Sequence, residues 1–193
     1  MTKAEARKYF LEQRKGLAEE AYQLANRKLH EQAIAFLSRV KPQSVHCFLP
    51  IQKNMEVNTW PIIDWMHRHH IEVVVSRSSL QDNQMLHFQW TPEVSCTENT
   101  WGIPEPQGEF LVTVTEQELE VVLVPLLAFD QKGHRVGYGK GYYDVFLSKC
   151  LPEALKVGLS LFPPIPEIAD VNSLDIPLTH AITPDKIWDF ATS

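Results

Sequence analysis

Cysteine is scarce in this sequence of 193 residues, and its three cysteines, Cys47, Cys96 and Cys150, stand far apart. Their odd number and the lack of a C-x-x-C pair argue against a disulfide framework and a zinc module, and indicate a reducing compartment. Long apolar runs are also missing, because the longest, near residues 121–129, is far shorter than the roughly 18 residues of a membrane helix. The first residues lack the apolar stretch of a signal peptide. We therefore expect a cytoplasmic protein without a membrane segment.

Basic residues are the minority among the charged ones: 18 Lys and Arg stand against 24 Asp and Glu, a formal net charge of −6. A protein that binds nucleic acid regardless of sequence must neutralise many phosphates, so this balance disfavours nucleic acid as a partner. The hydrophobic fraction of 44% is sufficient for a core. Because a domain takes roughly 100–200 residues, we expect residues 1–193 to form one domain.

Helix and strand patterns alternate along the chain. Apolar residues recur at three- and four-residue intervals over residues 2–40, and Gly16 marks a break between two helices. Two further helices are predicted at 58–70 and 142–150. Apolar runs predict strands at 44–49, 71–75, 85–90, 120–124 and 156–160. The proline- and glycine-bearing segment 96–108 predicts a loop, and the proline-rich C-terminal third predicts a coil that wraps the sheet. This order predicts an α/β three-layer sandwich with a mostly parallel, Rossmann-like central sheet.

A glycine-rich loop is the most informative segment. Four of the eight glycines lie within nine residues, at positions 133, 137, 139 and 141, between a predicted strand and a predicted helix. Such glycines let the backbone approach a ligand and expose its N–H groups, and the helix start adds further donors. Lys132, Arg135 and Lys140 place positive charge in the same loop. The pattern predicts a polyphosphate site at the carboxyl ends of the strands.

This loop matches neither common phosphate-binding motif. A P-loop requires Ser or Thr after Gly-Lys, where Gly141 stands, and a G-x-G-x-x-G fingerprint requires glycine at position 142, where Tyr142 stands. A flexible surface loop that contains glycine is the alternative interpretation. Tyr142, Tyr143 and Asp144 favour the ligand site, because two aromatic residues and a carboxylate directly follow the loop. An acid at a helix start can hold Mg²⁺ beside a bound phosphate.

Other candidate residues have two interpretations. Lys3 and Arg7 lie one helical turn apart, and this pattern is typical of a solvated helix face. Glu56 suits the first turn of a helix, where an acid stabilises the helix dipole. Trp101 suits a core position beside a turn. From these residues alone, a binding role and a structural role both remain open.

The histidine cluster His67, His69 and His70 predicts surface residues and not a metal site. At positions i, i+2 and i+3 of one helix, the three rings cannot all face one ion. Cys47 lies in an apolar strand, which predicts a buried and inert thiol.

The segment 123–144, LVPLLAFDQKGHRVGYGKGYYD, closely resembles the signature of the 5-formyltetrahydrofolate cyclo-ligase family, also called 5,10-methenyltetrahydrofolate synthetases. Lys3-x-x-x-Arg7 resembles the family's Lys and Arg that reach the ATP phosphates. Leu49 with residues 55–57 (Met-Glu-Val) resembles the strand end and acidic residue that line the folate pocket. Residues 101–106 (Trp-Gly-Ile-Pro-Glu-Pro) resemble the family's element beside the pterin. The resemblance therefore extends over most of the chain.

The resemblance implies an enzyme that forms a C–N bond. The expected reaction is the ATP- and Mg²⁺-dependent cyclisation of 5-formyltetrahydrofolate to 5,10-methenyltetrahydrofolate, with release of ADP and phosphate, through a phosphorylated formyl intermediate. The expected substrates include folate polyglutamates, and the expected form is a monomer without nucleic-acid or membrane partners. The alternative is a catalytically silent nucleotide- or RNA-binding relative with the same fold. A sugar-phosphate isomerase or CoA transferase, which would act without ATP, is a third possibility.

The resemblance also implies roles for individual residues. Catalysis is implied for Lys140 and Arg135. ATP binding is implied for Lys3, Arg7, Arg135, Gly137, Gly139, Lys140, Gly141 and Tyr142. Folate binding is implied for Leu49, Glu56, Trp101, Tyr138, Tyr142 and Tyr143. Asp144 and Asp175 are the expected metal ligands. Two positions depart from the family pattern: Thr179 stands where many members have a second acid, and Tyr138 stands where some have Arg.

Overall fold

The computed structural model describes residues 1–79, 84–100, 102–108 and 111–190 of the chain. Within these ranges the α-helices are α1 (Lys3–Lys15), α2 (Glu19–Val40), α3 (Trp60–Arg68) and α4 (Tyr142–Lys149). Thr2 and Glu5 begin α1 with reciprocal hydrogen bonds, and Gly16 ends it, so the predicted break between the first two helices is confirmed. None of the helices in this part of the chain is both long and apolar enough to cross a membrane.

The strands of the described residues form one large sheet and two short ribbons. Their bounds are β1 (Ser44–His46), β2 (Glu72–Ser78), β3 (Met85–Gln89), β4 (Ser95–Glu98), β5 (Pro104–Gln107), β6 (Thr113–Val114), β7 (Val121–Pro125), β8 (Ala128–Phe129), β9 (Arg135–Val136), β10 (Leu155–Leu159), β11 (His180–Ile182) and β12 (Ile187–Asp189). The large sheet has the order β12-β11-β10-β7-β1-β2-β3-β6. Its five inner strands from β11 to β2 are parallel, and its edge strands pair antiparallel.

Helices cover both faces of the sheet. On the central strand β7, Val121 and Leu123 point to one face and pack with the apolar residues of α2 and α3. Val122 and Val124 point to the other face and pack with α4. A parallel strand buried on both faces reads as a continuous apolar run, which is why β7 could be recognised from the sequence. The predicted α/β sandwich with a mostly parallel sheet is confirmed.

Three sequence-based expectations of secondary structure were wrong. The segment 96–108 is not all loop, because β4 and β5 pair with each other. A two-stranded ribbon leaves one edge of each strand unpaired and so accommodates Pro104 and Pro106, which lack an N–H group. The C-terminal coil returns to the sheet as β11 and β12, with Pro184 between the two strands. The first strand is shorter than the expected 44–49: the Cys47 N–H still donates to the Val74 carbonyl of β2 at 2.8 Å, but the Phe48 carbonyl accepts a hydrogen bond from the Thr59 hydroxyl at 2.7 Å and not from a strand.

Helix α1 reaches the glycine-rich loop through an apolar contact. Ala6 and Phe10 of α1 are buried with Leu127, Ala128 and Val136, which belong to and flank the β8–β9 ribbon. This packing places the basic side chains of α1 at the edge of the sheet where β1, β2 and β7 end.

Candidate active site

One cavity opens where the parallel strands β1, β2 and β7 end. Its volume is about 350 Å³, and small-molecule sites typically start at roughly 300 Å³. Residues of α1, residues at and after the ends of these strands, and the segment 135–144 line it. Open α/β sheets bind ligands at this edge, so the cavity lies where the sequence predicted a site.

Residues from distant parts of the sequence meet in this cavity. Of the fifteen candidate residues, the following fourteen line it: Lys3, Arg7, Leu49, Glu56, Arg135, Gly137, Tyr138, Gly139, Lys140, Gly141, Tyr142, Tyr143, Asp144 and Asp175. The fifteenth, Trp101, lies outside the described residues. The structure thus brings the candidates together, while their individual roles stay predictions.

The purely structural interpretations of Lys3 and Glu56 are wrong. Lys3 does not lie on a solvated helix face, because only 13% of its side chain is exposed and it lines the cavity with Arg7. Glu56 does not lie in the first turn of a helix, because α3 begins four residues later at Trp60. Both residues line the same cavity instead.

Lys3 forms an ion pair with Asp175. The Lys3 Nζ atom lies 2.7 Å from Oδ1 and 2.6 Å from Oδ2 of Asp175. Burial by itself would raise the pKa of Asp175. The hydrogen bonds from Lys3 and from the Asn172 backbone, together with the charges of Lys3 and Arg135, lower the pKa below its usual value instead. Asp175 is thus held as a carboxylate.

Arg135 and Asp144 form a second ion pair. The Arg135 Nη2 atom donates to Asp144 Oδ1 at 2.7 Å, and Nη1 donates to the Ile176 carbonyl. Burial lowers the pKa of Arg135, and the neighbouring Asp144 charge opposes that shift. In both ion pairs, a basic residue that is expected to bind phosphate is therefore neutralised by an acidic residue that is expected to bind the metal.

The glycine-rich loop has a backbone that favours glycine. Gly139 and Gly141 have φ angles of +92° and +76°, in the left-handed region that side chains with a Cβ atom rarely adopt. Arg7 Nε donates to the Gly137 carbonyl at 2.9 Å, and the Arg7 guanidinium carbon lies 3.2 Å from the position of a Cβ added at Gly139. Arg7 of α1 thus packs directly on the loop.

A buried carboxylate also lines the cavity. Glu56 is 4% exposed, and its Oε2 accepts a hydrogen bond from the Ile51 N–H at 2.7 Å. The Tyr138 hydroxyl donates to Oε1 at 2.6 Å. Burial raises the pKa of Glu56, while these hydrogen bonds and the charge of Arg14 oppose the rise. The site therefore offers a hydrogen-bond acceptor in a cavity that Phe48, Leu49 and Ile51 also line.

Aromatic residues at the start of α4 line the same cavity. The Tyr142 hydroxyl donates to the Ser79 carbonyl at 2.9 Å, which fixes the ring at the start of α4. Tyr143 packs against His46 and Phe146 with ring centroids 6.1 and 5.8 Å apart. Burial raises the pKa of the Tyr143 hydroxyl well above its ordinary value, so it stays a hydrogen-bond donor.

Three residues near the cavity were missed from the sequence. Arg14 of α1 is 2% exposed and contacts Tyr138. His46 and Ser76 line the cavity, and Ser76 Oγ lies 2.7 Å from His46 Nε2 and 2.8 Å from His87 Nδ1. A signal for Arg14 existed: it follows Lys3 and Arg7 at helical spacing, on the same face of α1. His46 and Ser76 had no comparable signal, because single polar residues in apolar strands are common.

The histidine cluster lies away from the cavity. His69 and His70 are exposed, and His67 bonds to the Trp90 carbonyl at 2.9 Å. Within the described ranges, no group of three or more His, Cys, Asp or Glu residues is placed to hold a metal ion. Cys47 is buried as expected, and burial raises the pKa of its thiol to about 12.

Comparison with known proteins gives a consistent result. A family model described as the 5-formyltetrahydrofolate cyclo-ligase family matches residues 1–184. The 5-formyltetrahydrofolate cyclo-ligase of Escherichia coli K12 is 26% identical over 182 residues, which cover 93% of this chain and 98% of that protein. A probable 5-formyltetrahydrofolate cyclo-ligase of Schizosaccharomyces pombe is 38% identical over 105 residues. That alignment covers 48% of this chain, and the chain spans about half the length (52%) of the yeast protein.

Solved structures show the same fold. The 5,10-methenyltetrahydrofolate synthetase of Aquifex aeolicus superposes with a TM-score of 0.77 at 27% identity, covering 98% of this chain and 93% of that one. The synthetase of Mycoplasma pneumoniae superposes with a TM-score of 0.76, covering 95% of this chain and 99% of that one. At 22% identity, this second likeness speaks for the fold alone.

Proposed function

This chain belongs to the 5-formyltetrahydrofolate cyclo-ligase family, and on that premise we propose that it uses ATP and Mg²⁺ to convert 5-formyltetrahydrofolate into 5,10-methenyltetrahydrofolate. The family assigns it to the ligases and assigns it a folate substrate. The dependence on ATP and Mg²⁺, the reaction steps and the roles of single residues form the proposal.

The proposed reaction activates an amide oxygen by phosphoryl transfer. The formyl oxygen attacks the γ-phosphorus of ATP, which releases ADP and gives a phosphorylated imidate. N10 then attacks the imidate carbon and loses its proton, and phosphate leaves with the former formyl oxygen. In such a reaction the protein mainly positions the reactants and stabilises the charge that develops on the phosphoryl oxygens.

The basic residues that line the cavity would bind the triphosphate. Lys140 and Arg135 would stabilise the transferring phosphoryl group, and Lys3 and Arg7 would hold the remaining phosphates. The N–H groups of the glycine loop would add backbone hydrogen bonds. This assignment is supported by the position of all four cations on the same cavity.

The two carboxylates fit a metal that is shared with the nucleotide. Mg²⁺ is usually held by one or two carboxylates together with substrate phosphates and water, so Asp144 and Asp175 suffice without a cluster of three acids. When bound, the metal would neutralise charge on the phosphates. Lys3 and Arg135, which now pair with these carboxylates, would then be free to contact the phosphates.

Glu56 and the apolar and aromatic residues that line the cavity would bind the folate. The Glu56 carboxylate would accept hydrogen bonds from the amino and ring N–H groups of the pterin. Leu49, Tyr138, Tyr142 and Tyr143 would provide the apolar and aromatic surface, with Trp101 as a further predicted contact. We extend the proposal to folate polyglutamates as substrates, to a monomeric cytoplasmic enzyme, and to the absence of a nucleic-acid ligand, for which the net charge of −6 is the support.

One observation carries the proposal: a cation-lined glycine loop and a buried carboxylate face the same cavity. The test is to mix the protein with 5-formyltetrahydrofolate, ATP and Mg²⁺ and to follow the methenyl chromophore and ADP together. We expect one ADP per methenyl product, and no product when either ATP or Mg²⁺ is omitted. A flat trace from well-folded protein would refute the activity, and turnover without ATP would refute the mechanism.

A further inference from the structure

Arg14 is a buried cation outside the residues assigned so far. It is 2% exposed although it carries a full charge. Its Nη2 atom donates to the Leu126 carbonyl, and its Nη1 atom donates to the Tyr138 hydroxyl at 3.4 Å. Its Nε atom is buried without a hydrogen-bond partner in the described residues. A buried charge is costly unless an opposite charge or strong hydrogen bonds compensate it, so Arg14 requires an explanation.

Tyr138 connects Arg14 to the buried carboxylate of Glu56. Its hydroxyl accepts from Arg14 Nη1 and from Asn54 Nδ2, both at 3.4 Å, and donates to Glu56 Oε1 at 2.6 Å. Two donors on the hydroxyl oxygen polarise its O–H bond towards the carboxylate. Since the Ile51 N–H holds Oε2, both oxygens of Glu56 have a fixed position.

Arg14 and Tyr138 also compensate the negative charge of Glu56. Burial raises the pKa of Glu56, and the Arg14 charge is one of the influences that oppose this rise. A protonated carboxyl group has one acceptor fewer, and it could not accept two N–H groups from the same edge of a ligand. The ionised form is therefore the one that a donor-rich heterocycle edge requires.

We propose that Arg14 and Tyr138 are positioning residues for folate binding, which hold Glu56 ionised and oriented towards the two N–H donors of the pterin edge. This proposal rests on the proposed function. It also explains the departure at position 138, because the positive charge comes from α1 and the tyrosine hydroxyl carries its effect to Glu56.

The experiment measures folate binding apart from turnover. Titration calorimetry with 5-formyltetrahydrofolate is done with a non-hydrolysable ATP analogue and Mg²⁺ present throughout, so that the order of binding does not matter. The variants are Tyr138→Phe, Arg14→Met, Glu56→Gln and the double variant Tyr138→Phe with Glu56→Gln. Lys15→Met, at an exposed position of α1, is the matched control, and thermal unfolding establishes that each variant is folded.

We expect Tyr138→Phe and Arg14→Met each to weaken folate binding by about ten- to a hundredfold, the range for a hydrogen bond to a charged group. Adding Tyr138→Phe to Glu56→Gln should weaken binding by less than about twofold, because the hydroxyl would act only through the carboxylate. Lys15→Met should bind as the wild type does. If Arg14→Met does not fold, the double-mutant cycle of Tyr138→Phe and Glu56→Gln tests the positioning role by itself.

A pH series adds a readout that a merely structural role would not change. Among the described residues, the titratable groups facing Glu56 are Arg14, Tyr22, Tyr138 and Tyr143, and the pKa of each tyrosine is raised above its ordinary value. The raised pKa values keep the three tyrosines uncharged at neutral pH. In Tyr138→Phe and Arg14→Met, the pKa of Glu56 should rise further, so folate binding should become tighter as the pH rises, and more steeply than in the wild type.

The outcomes separate the two proposals. Wild-type affinity in Tyr138→Phe and Arg14→Met, or independent effects of Tyr138→Phe and Glu56→Gln, would overturn the positioning role while the proposed function stands. No folate binding by the wild type would overturn both. A pH dependence identical to that of the wild type would also overturn the positioning role.

Discussion

Alanine substitutions at three loop glycines separate backbone strain from contact with Arg7. Gly137 has no positive φ, and a Cβ added there meets nothing within 4 Å. Gly141 has a φ of +76° and the same open space. Gly139 has a φ of +92°, and an added Cβ lies 3.2 Å from the Arg7 guanidinium. An alanine at position 137 thus meets neither effect, and one at position 141 meets backbone strain alone. An alanine at position 139 meets both backbone strain and contact with Arg7.

The expected magnitudes follow from these geometries. A left-handed backbone costs an alanine roughly 1–2 kcal/mol, so Gly139→Ala and Gly141→Ala should each lower the free energy of unfolding by about that amount. For a chain of this size, 1 kcal/mol corresponds to about 2–4 °C in Tm, which gives a decrease of about 2–8 °C. Gly137→Ala should leave Tm unchanged or slightly higher, because alanine restricts the unfolded chain.

Nucleotide binding gives the second readout of this series. Gly139→Ala should raise the KM for ATP more than Gly141→Ala does, because the new methyl group displaces Arg7 from its 2.9 Å bond to the Gly137 carbonyl. Gly137→Ala should raise the KM for ATP without loss of stability, since its methyl group occupies the space proposed for the phosphates. Thermal unfolding and steady-state kinetics measure both effects. Equal Tm values for the three variants, or an unchanged KM in Gly139→Ala, would refute this reasoning.

Three further predictions use the same assays. Lys140→Ala should lower kcat by at least about a hundredfold while Tm stays nearly constant, because residue 140 is exposed; an unchanged kcat would contradict its role. Asp144→Asn should raise the Mg²⁺ concentration needed for half-maximal rate, because an amide oxygen is a weaker metal ligand than a carboxylate. The amide oxygen can still accept the hydrogen bond from Arg135. A Mg²⁺ titration identical to that of the wild type would place the metal elsewhere. Burial lowers the pKa of His46 and lowers that of His87 to about 4. The unfolded chain therefore binds more protons below pH 6.5, and stability should be lost as the pH falls from 6.5 towards 4, by about 2 kcal/mol at pH 5 for His87 alone. Urea unfolding at pH 7.5 and pH 5 measures this loss, and equal stability at both values would contradict it.

Much of the fold could be predicted because its signals are local. The break at Gly16 and the central strand β7 follow from a helix stop and from burial on both faces. The β4–β5 ribbon could not be predicted, because prolines mark a loop unless the pairing partner is known. β11 was missed for a similar reason, since it pairs with β10 more than 20 residues away. β12 was missed with it, because β12 pairs with β11.

The candidate site shows the same division. The loop glycines and cations are close in sequence and carry a recognisable chemistry, whereas Lys3, Glu56 and Asp175 could be connected to them only through the family resemblance. Arg14 was missed because an arginine in an amphipathic helix predicts solvent exposure. Its actual partners, Leu126 and Tyr138, are 112 and 124 residues away in sequence, and only the folded chain brings them together.

The most direct test is a crystal structure of the protein with a non-hydrolysable ATP analogue, Mg²⁺ and 5-formyltetrahydrofolate. We predict that the triphosphate contacts the Gly137–Gly141 backbone and Lys140, that Lys3 and Arg135 leave their carboxylates for the phosphates, and that the formyl oxygen faces the γ-phosphorus. A nucleotide bound outside this cavity, with both ion pairs intact, would contradict the account.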